Sequence, residues 1–324
     1  MEKKKNTKRL RKAIIIATCL IVSIGLTSCG TYFFVYTIVS KKVSGMELSL
    51  SDEVKPSGKK ALVYTDWYAS QPFEEMRITT KDGLELVGRY IAAEDTTDKL
   101  AILIHGYMMD GSIMAAYGKH YQEDGFNVFI ADNRGHGESG GTYVGMGWLD
   151  RLDYLQWLDY LLEKKGDNLE IVIHGISMGG ATVACLSGEQ LPKQVKCLIE
   201  DCSFNSVYDE FKYQGKKKLG FLTVPTLSIA SVESKLFAGY GFKEASPLKQ
   251  ISKSVTPIFI IHGESDTFNP PYMAHELYDA ATCEKELWIV PDAEHGKAFD
   301  VNPDQYFERV RLFYKKYING IQDF

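Results

Sequence analysis

The chain has 324 residues, of which 45% are hydrophobic and 24% charged, and its formal net charge is −5. This composition suits a globular protein with a substantial core, and the six scattered cysteines exclude a disulfide-stapled class. An acidic chain lacks the basic surface of a nucleic-acid-binding protein, so we expect no nucleic-acid partner.

The N-terminal segment is unlike the rest of the chain. Residues 1–12 include seven basic side chains, and the run 13–40 that follows has no charged residue. A helix of about 20 apolar residues crosses a bilayer, so 13–40 predicts a transmembrane anchor, and the basic flank predicts 1–12 as a cytoplasmic tail. We therefore expect a single-pass protein of the cell membrane with its main domain outside the cytoplasm. The alternatives are a cleaved signal peptide that releases a secreted protein, and a lipoprotein anchored at Cys29 in "LTSC".

A polar linker, 41–71, leads to a region of regular pattern that predicts one domain over 72–324. The segments 76–80 and 84–92 form an antiparallel hairpin in this interpretation, because an Asp-Gly turn joins them. Continuous apolar runs then predict strands buried on both faces, at 100–106, 126–132, 169–175, 195–201, 256–263 and 285–292.

Helical patterns alternate with these strands, at 112–124, 148–165, 178–190, 271–281 and 303–318. The pairs Asn269-Pro270 and Asn302-Pro303 predict helix starts, because Asn caps a helix and Pro suits its first position. The expected fold class is α/β: a mostly parallel sheet led by an antiparallel hairpin, with helices on both faces.

One interval is too long for a simple crossover. Over fifty residues separate the strand that ends near Asp201 from the strand that begins at Thr256, and many of them are apolar. We predict a small helical lid, inserted at about 204–247, over the carboxyl ends of the strands, where ligands bind in open α/β sheets.

The segment "HGISMGG" at 174–180 places Ser177 in the pattern G-x-S-x-G between a predicted strand and a predicted helix. A sharp strand-to-helix turn exposes the serine hydroxyl, and glycines at 175 and 179 allow the backbone to pack closely around it. Gly-Ser turns are also common in ordinary loops, but this context predicts a nucleophile.

A nucleophilic serine needs a general base and an acid that orients the base. His295 follows the last strand, at the same edge of the sheet as Ser177, and is the predicted base. Asp266 follows the penultimate strand and is the predicted acid, with Asp201 as the alternative.

Acyl transfer also needs donors for the developing oxyanion. We expect the backbone N–H groups of Met178, next to the nucleophile, and Tyr107, in the loop after 100–106, to form this oxyanion hole. The sequence has no HExxH or CxxC pair, so we expect neither a metal nor a cofactor.

Five segments together resemble signatures of the α/β-hydrolase superfamily in the same order. They are "HGY" at 105–107, "DNRGHGESGG" at 132–141, "GISMGG" at 175–180, "HGESD" at 262–266 and "AEHG" at 293–296. Over about 76–318 the chain resembles membrane-anchored bacterial serine hydrolases of the serine aminopeptidase S33 or Bem46-like kind. The resemblance implies hydrolysis by a Ser–His–Asp triad but no particular substrate, since the fold serves many acyl compounds.

The functional prediction is a serine hydrolase, like a carboxylesterase or lipase, that cleaves carboxylic esters of a small-molecule acyl substrate through an acyl-enzyme. A peptidase or an acyltransferase of the same fold is the alternative, followed by a non-catalytic scaffold. A haloalkane dehalogenase or an epoxide hydrolase would need a carboxylate at position 177 and is excluded by Ser177. The sequence predicts no oligomeric state.

Overall fold

The computed structural model describes residues 66–320 together with Lys12, Gly25 and Thr31. The predicted tail, nearly all of the predicted anchor and most of the linker lie outside the described residues. No helix in the described part of the chain combines the length and the apolar character that a membrane span requires.

Helix α1, residues 66–70, occupies the end of the predicted linker. The indole N–H of Trp67 donates to Gln122 over 3.2 Å, and Tyr68 is buried. The linker predicted as 41–71 therefore overlaps the folded domain at its carboxyl end, because two aromatic side chains pack there.

Within residues 66–320, eight strands form one sheet in the order β1-β2-β4-β3-β5-β6-β7-β8. Strands β1, β2 and β4 pair antiparallel, and all the other pairs are parallel. Their bounds are β1 Glu74–Thr79, β2 Glu85–Ile91, β3 Lys99–Ile104, β4 Asn127–Ala131, β5 Glu170–Ile176, β6 Val195–Asp201, β7 Ile258–Gly263 and β8 Lys285–Val290. The predicted hairpin and mostly parallel sheet are confirmed.

Helices cover both faces of this sheet. They are α2 Ala115–Glu123, α3 Asp150–Lys165, α4 Met178–Leu186, α5 Val207–Leu219, α6 Thr223–Phe237, α7 Pro247–Ile251, α8 Tyr272–Ala280, α9 Ala298–Val301 and α10 Pro303–Tyr314. One apolar core contains Trp157 and Leu161 of α3, and the other contains Tyr121 of α2 and Tyr314 of α10. The predicted α/β class is confirmed, since buried strands separate two helical layers.

The two Asn-Pro pairs differ in outcome. Asn302 accepts a hydrogen bond from the N–H of Gln305 and caps α10, as predicted. The prediction for Asn269 was wrong: α8 begins at Tyr272 without a side-chain cap, and the amide of Asn269 donates to the carbonyl of Cys202 over 2.8 Å. Asn269 therefore ties the loop after β7 to the end of β6.

The inserted lid consists of α5, a 3₁₀ turn at Gly220–Leu222, and α6. The hydroxyl of Ser206 accepts the N–H of Asp209 over 3.0 Å and so caps α5. Val207 and Leu227 of the lid share an apolar cluster with Met178, the first residue of α4. The lid therefore covers the carboxyl end of β5, where Ser177 lies.

Candidate active site

Ser177 lies at a sharp turn between β5 and α4, with φ of 56° and ψ of −117°. A side chain rarely adopts a positive φ, so the conformation persists only because the surrounding backbone imposes it. A Cβ at Gly175 would lie 2.2 Å from the carbonyl oxygen of Gly179, and a Cβ at Gly179 would lie 2.1 Å from that of Ile104. The two glycines of G-x-S-x-G are thus required by close backbone packing, which holds the serine hydroxyl clear of both elements.

A chain of hydrogen bonds links the hydroxyl of Ser177 to an imidazole, and that imidazole to a carboxylate. Ser177 Oγ is 2.9 Å from His295 Nε2, and His295 Nδ1 is 2.7 Å from Asp266 Oδ2. A carboxylate accepts only, so Nδ1 carries a proton and donates it to Asp266, while Nε2 can accept the serine proton. The structure therefore brings together all three residues that the sequence analysis selected for this relay.

The carboxylate of Asp266 is held by several donors. Its Oδ1 accepts the N–H groups of Phe268 and Asn269, each over 2.8 Å, and His262 Nε2 lies 3.3 Å from Oδ2. Burial raises the pKa of Asp266, but the hydrogen bonds from His262 and His295 outweigh it and lower the pKa to about 2. Asp266 is therefore an anion at neutral pH.

His262 is a site residue that the sequence analysis named only as the first residue of the segment "HGESD". Its Nε2 donates to the carbonyl of Asn269 over 2.7 Å and faces Asp266 at the same time. Burial lowers the pKa of His262, but the hydrogen bond and charge of Asp266 raise it above its ordinary value. The segment "HGESD" contained the signal, because its spacing of four residues brings this imidazole to the acid.

Asp201, the alternative acid, points elsewhere. Its Oδ2 accepts the hydroxyl of Tyr306 over 2.8 Å, and Tyr306 in turn contacts His174 Nε2 over 3.0 Å. Burial raises the pKa of Asp201 to about 7 and lowers that of His174 to about 3. Only the backbone of Asp201 contributes to the turn, through the N–H of Ser177, which donates to its carbonyl over 2.8 Å.

The loop after β3 lies against the nucleophile. A Cβ at Gly106 would lie 3.5 Å from Ser177 Cβ, so the next residue, Tyr107, is adjacent to the turn. The N–H of Met108 donates to His136 Nε2 over 3.2 Å and is thereby engaged in holding the loop. Tyr107 and Met178, the two expected oxyanion donors, thus flank Ser177 from different elements.

Two ion pairs of Arg134, one of them buried, support the loop that contains "DNRGHGESGG". Arg134 donates to Asp153 of α3 over 2.5 Å and to Asp82 over 2.9 Å. Burial lowers the pKa of Arg134, but its hydrogen bonds to the carboxylates raise it above its ordinary range. The sequence analysis missed these ion pairs because the partners of Arg134 lie 19 and 52 residues away in the chain, and no local pattern links them.

An apolar cluster joins the lid to Met178, the residue after Ser177, and mostly aromatic side chains form the border of this cluster. Half-buried side chains pack against the cluster that contains Met178: Tyr107, Tyr143, Trp148, Leu149, Tyr208 and Tyr213. Ser177 and His295 are only 9% and 5% exposed, so the nucleophile and the imidazole are both buried. Among the described residues, no group of His, Cys, Asp and Glu side chains is arranged to hold a metal ion.

The fold and this turn define an α/β-hydrolase. Residues 114–320 match the prolyl oligopeptidase family of peptidases, and the chain belongs to that family. The uncharacterized protein YqkD of Bacillus subtilis (strain 168) is 29% identical over 248 residues, which are 75% of this chain and 81% of YqkD. The narrower likeness to serine aminopeptidase S33 or Bem46-like proteins stays a prediction.

Solved structures with this fold include an esterase and a peptidase. The Pyrococcus furiosus esterase Pf2001 superposes with a TM-score of 0.64 at 26% identity, over 82% of this chain and 96% of the esterase. The Pyrococcus horikoshii acylaminoacyl peptidase gives 0.56 at 18% identity, over 83% of this chain and 45% of the peptidase, and shows the fold alone. The chain is therefore a hydrolase of a family that includes esterase-like and peptidase-like members.

Proposed function

We propose that this protein is a serine hydrolase that cleaves uncharged carboxylic esters through an acyl-enzyme. The observation that carries the proposal is the continuous relay from Ser177 Oγ to His295 Nε2 and from His295 Nδ1 to Asp266. Ser177 attacks the acyl carbonyl carbon while His295 accepts the hydroxyl proton, and Asp266 stabilises the resulting imidazolium. The N–H groups of Tyr107 and Met178 bind the oxyanion.

The leaving alcohol takes the proton from His295, and the acyl group stays on Ser177. A water molecule then gives a proton to His295 and attacks the acyl carbonyl, which releases the acid and restores the hydroxyl. These steps use only groups of the chain and a water molecule, so the proposal includes no metal and no cofactor.

An ester substrate is favoured by the aromatic border beneath the lid, where Tyr107, Tyr143 and Trp148 are half buried. Apolar pockets bind in proportion to the apolar area removed from water, at about 25 cal/mol per Å². An uncharged acyl chain of short to medium length makes better apolar contacts with these aromatic side chains than a charged peptide does. A peptidase is the second candidate, because the family match is to peptidases.

We also propose that residues 13–40 anchor the chain in the cell membrane with the catalytic domain outside the cytoplasm. The support is the uncharged run itself and the seven basic residues that precede it. A secreted or lipidated form remains the alternative.

The substrate class is tested with p-nitrophenyl esters from acetate to palmitate, measured beside aminoacyl p-nitroanilides. We expect kcat/KM to rise with each added methylene and then to fall where the pocket ends. Faster turnover of the anilides would replace the ester proposal with a peptidase.

The acid is tested by a matched pair of variants. Asp266→Asn should lower kcat by about 10⁴-fold in a folded protein, because the imidazole loses its orienting partner. Asp201→Asn should keep most of the activity, since its carboxylate faces Tyr306. The reverse order would show that the acid is misassigned.

A further inference from the structure

The lid carries an exposed apolar face, which we name the lid ridge: Phe221, Leu222, Val224, Val232 and Leu236. Phe221 is 89% exposed and Leu236 is 74% exposed, although apolar side chains of this size are usually covered. Val224, Val232 and Leu236 are spaced by multiples of four along α6 and so share one side of the helix. Leu227 and Ala230 on the other side are buried against the domain.

Exposed lysines flank the lid ridge on its N-terminal side. The lid from α5 to α6, residues 207–237, contains five lysines and three acidic residues, of which Glu210 and Glu233 are buried, although the whole chain has more acidic than basic groups. Lys216, Lys217 and Lys218 are exposed and directly precede the ridge in the chain. The exposed part of the lid therefore combines apolar side chains with three neighbouring lysines, on a chain of net negative charge.

Exposed apolar side chains beside lysines favour an anionic lipid surface as the partner of the lid. A helix with an apolar side and flanking lysines binds in the interface of an anionic bilayer, where the apolar side chains enter the acyl boundary and the lysines meet the headgroups. A second copy of the lid would bring the same lysines together and be repelled. An isolated exposed Phe needs no explanation, but five apolar side chains on one ridge mark an interaction surface.

The length of the N-terminal segment allows the lid to contact a bilayer. Residues 41–65 separate the uncharged run 13–40 from α1, and a chain of that length spans at most roughly 90 Å when fully extended. A tether of this length keeps the lid within reach of the bilayer. We propose that the lid ridge docks on the surface of an anionic phospholipid bilayer, a contact that does not depend on the proposed esterase activity.

Tryptophan fluorescence tests this contact on the full chain reconstituted in vesicles of phosphatidylcholine with a minority of phosphatidylglycerol. Phe221→Trp places the probe on the ridge, and Val255→Trp is the matched control, because Val255 is 87% exposed and precedes β7 at the opposite edge of the sheet. The parent chain, with its four tryptophans, supplies the background. Lipids brominated in the acyl chains should quench the probe at 221 and leave the probe at 255 bright.

The charge contribution is tested in the same vesicles. Lys216→Gln with Lys218→Gln should weaken the quenching at position 221, as should added salt, because both reduce attraction to anionic headgroups. Replacement of Lys81 and Lys193, exposed lysines outside the lid, should have no effect. Quenching that is equal with and without phosphatidylglycerol and indifferent to the lid lysines would contradict the requirement for an anionic surface.

Three other outcomes overturn the proposal. They are no quenching at position 221, equal quenching at 221 and 255, and a probe at 221 that is shielded from aqueous iodide but not quenched by brominated lipid. The last result would mean that protein, such as a second copy of the chain, covers the ridge. Thermal unfolding of each variant verifies that the replacements, all at exposed positions, leave the domain folded.

Discussion

Replacement of His262 tests how the acid of the proposed triad is positioned. His262 Nε2 lies 2.7 Å from the carbonyl oxygen of Asn269 and 3.3 Å from Asp266 Oδ2. His262→Leu removes both contacts. A hydrogen bond to a charged group contributes about 1.5–3 kcal/mol, and 3.3 Å is long for such a bond, so the lower figure applies. Since 1.36 kcal/mol corresponds to a factor of ten in rate, kcat should fall by about tenfold.

The assay is steady-state hydrolysis of the preferred p-nitrophenyl ester, with thermal unfolding as a check on the fold. KM should stay near its wild-type value, because His262 is buried behind Asp266 and does not border the space beneath the lid. His262→Gln should restore most of kcat, since its side-chain amide can donate from nearly the position of Nε2. A Leu variant with the wild-type kcat would refute the reasoning, and so would a Gln variant as slow as the Leu variant.

Two stability predictions concern the turn and the lid. Gly179→Ala places a Cβ 2.1 Å from the carbonyl oxygen of Ile104, and overpacking against backbone should cost about 3 kcal/mol, or roughly 6–12 °C in Tm. Gly106→Ala, whose nearest neighbour is at 3.5 Å, should melt close to wild type; equal Tm values would contradict the packing account. Burial raises the pKa of Glu210 from 4.5 to about 8. Between those pH values the folded protein holds the proton more tightly than the unfolded chain does, so the free energy of unfolding should fall by up to about 1.4 kcal/mol per unit as pH rises. Glu210→Gln should remove this pH dependence of the free energy of unfolding in denaturant titrations, and Glu264→Gln, at an exposed position, should keep it. An unchanged pH dependence in both variants would contradict the role of Glu210.

The fold was predictable because its dominant signal is local. Each parallel strand is covered on both faces and therefore reads as a continuous apolar run, so strand positions follow from the sequence to within a few residues. Gly175 and Gly179 likewise reveal the turn, because backbone packing leaves no room for a side chain. The helix start at Asn269 was not predictable, since its amide is used in a contact with Cys202, far away in sequence.

Long-range contacts limited what could be predicted about the site. Asp201 ends β6 and Asp266 follows β7 at the same edge of the sheet, so position alone left Asp201 as an alternative acid. The contact of Tyr306 with Asp201 became visible only in three dimensions. The role of His262 beside the acid depends on side-chain orientation in the same way. The sequence indicated an apolar lid, but only the structure separates its buried side from its exposed ridge.

The central claim is that Ser177 is a nucleophile activated by His295. Labelling with a fluorophosphonate probe tests it directly, because the probe forms a covalent bond only with an activated serine hydroxyl. We expect the wild-type chain to be labelled, and Ser177→Ala to be folded and unlabelled. Absence of labelling in folded wild-type protein, or equal labelling of Ser177→Ala, would contradict the account.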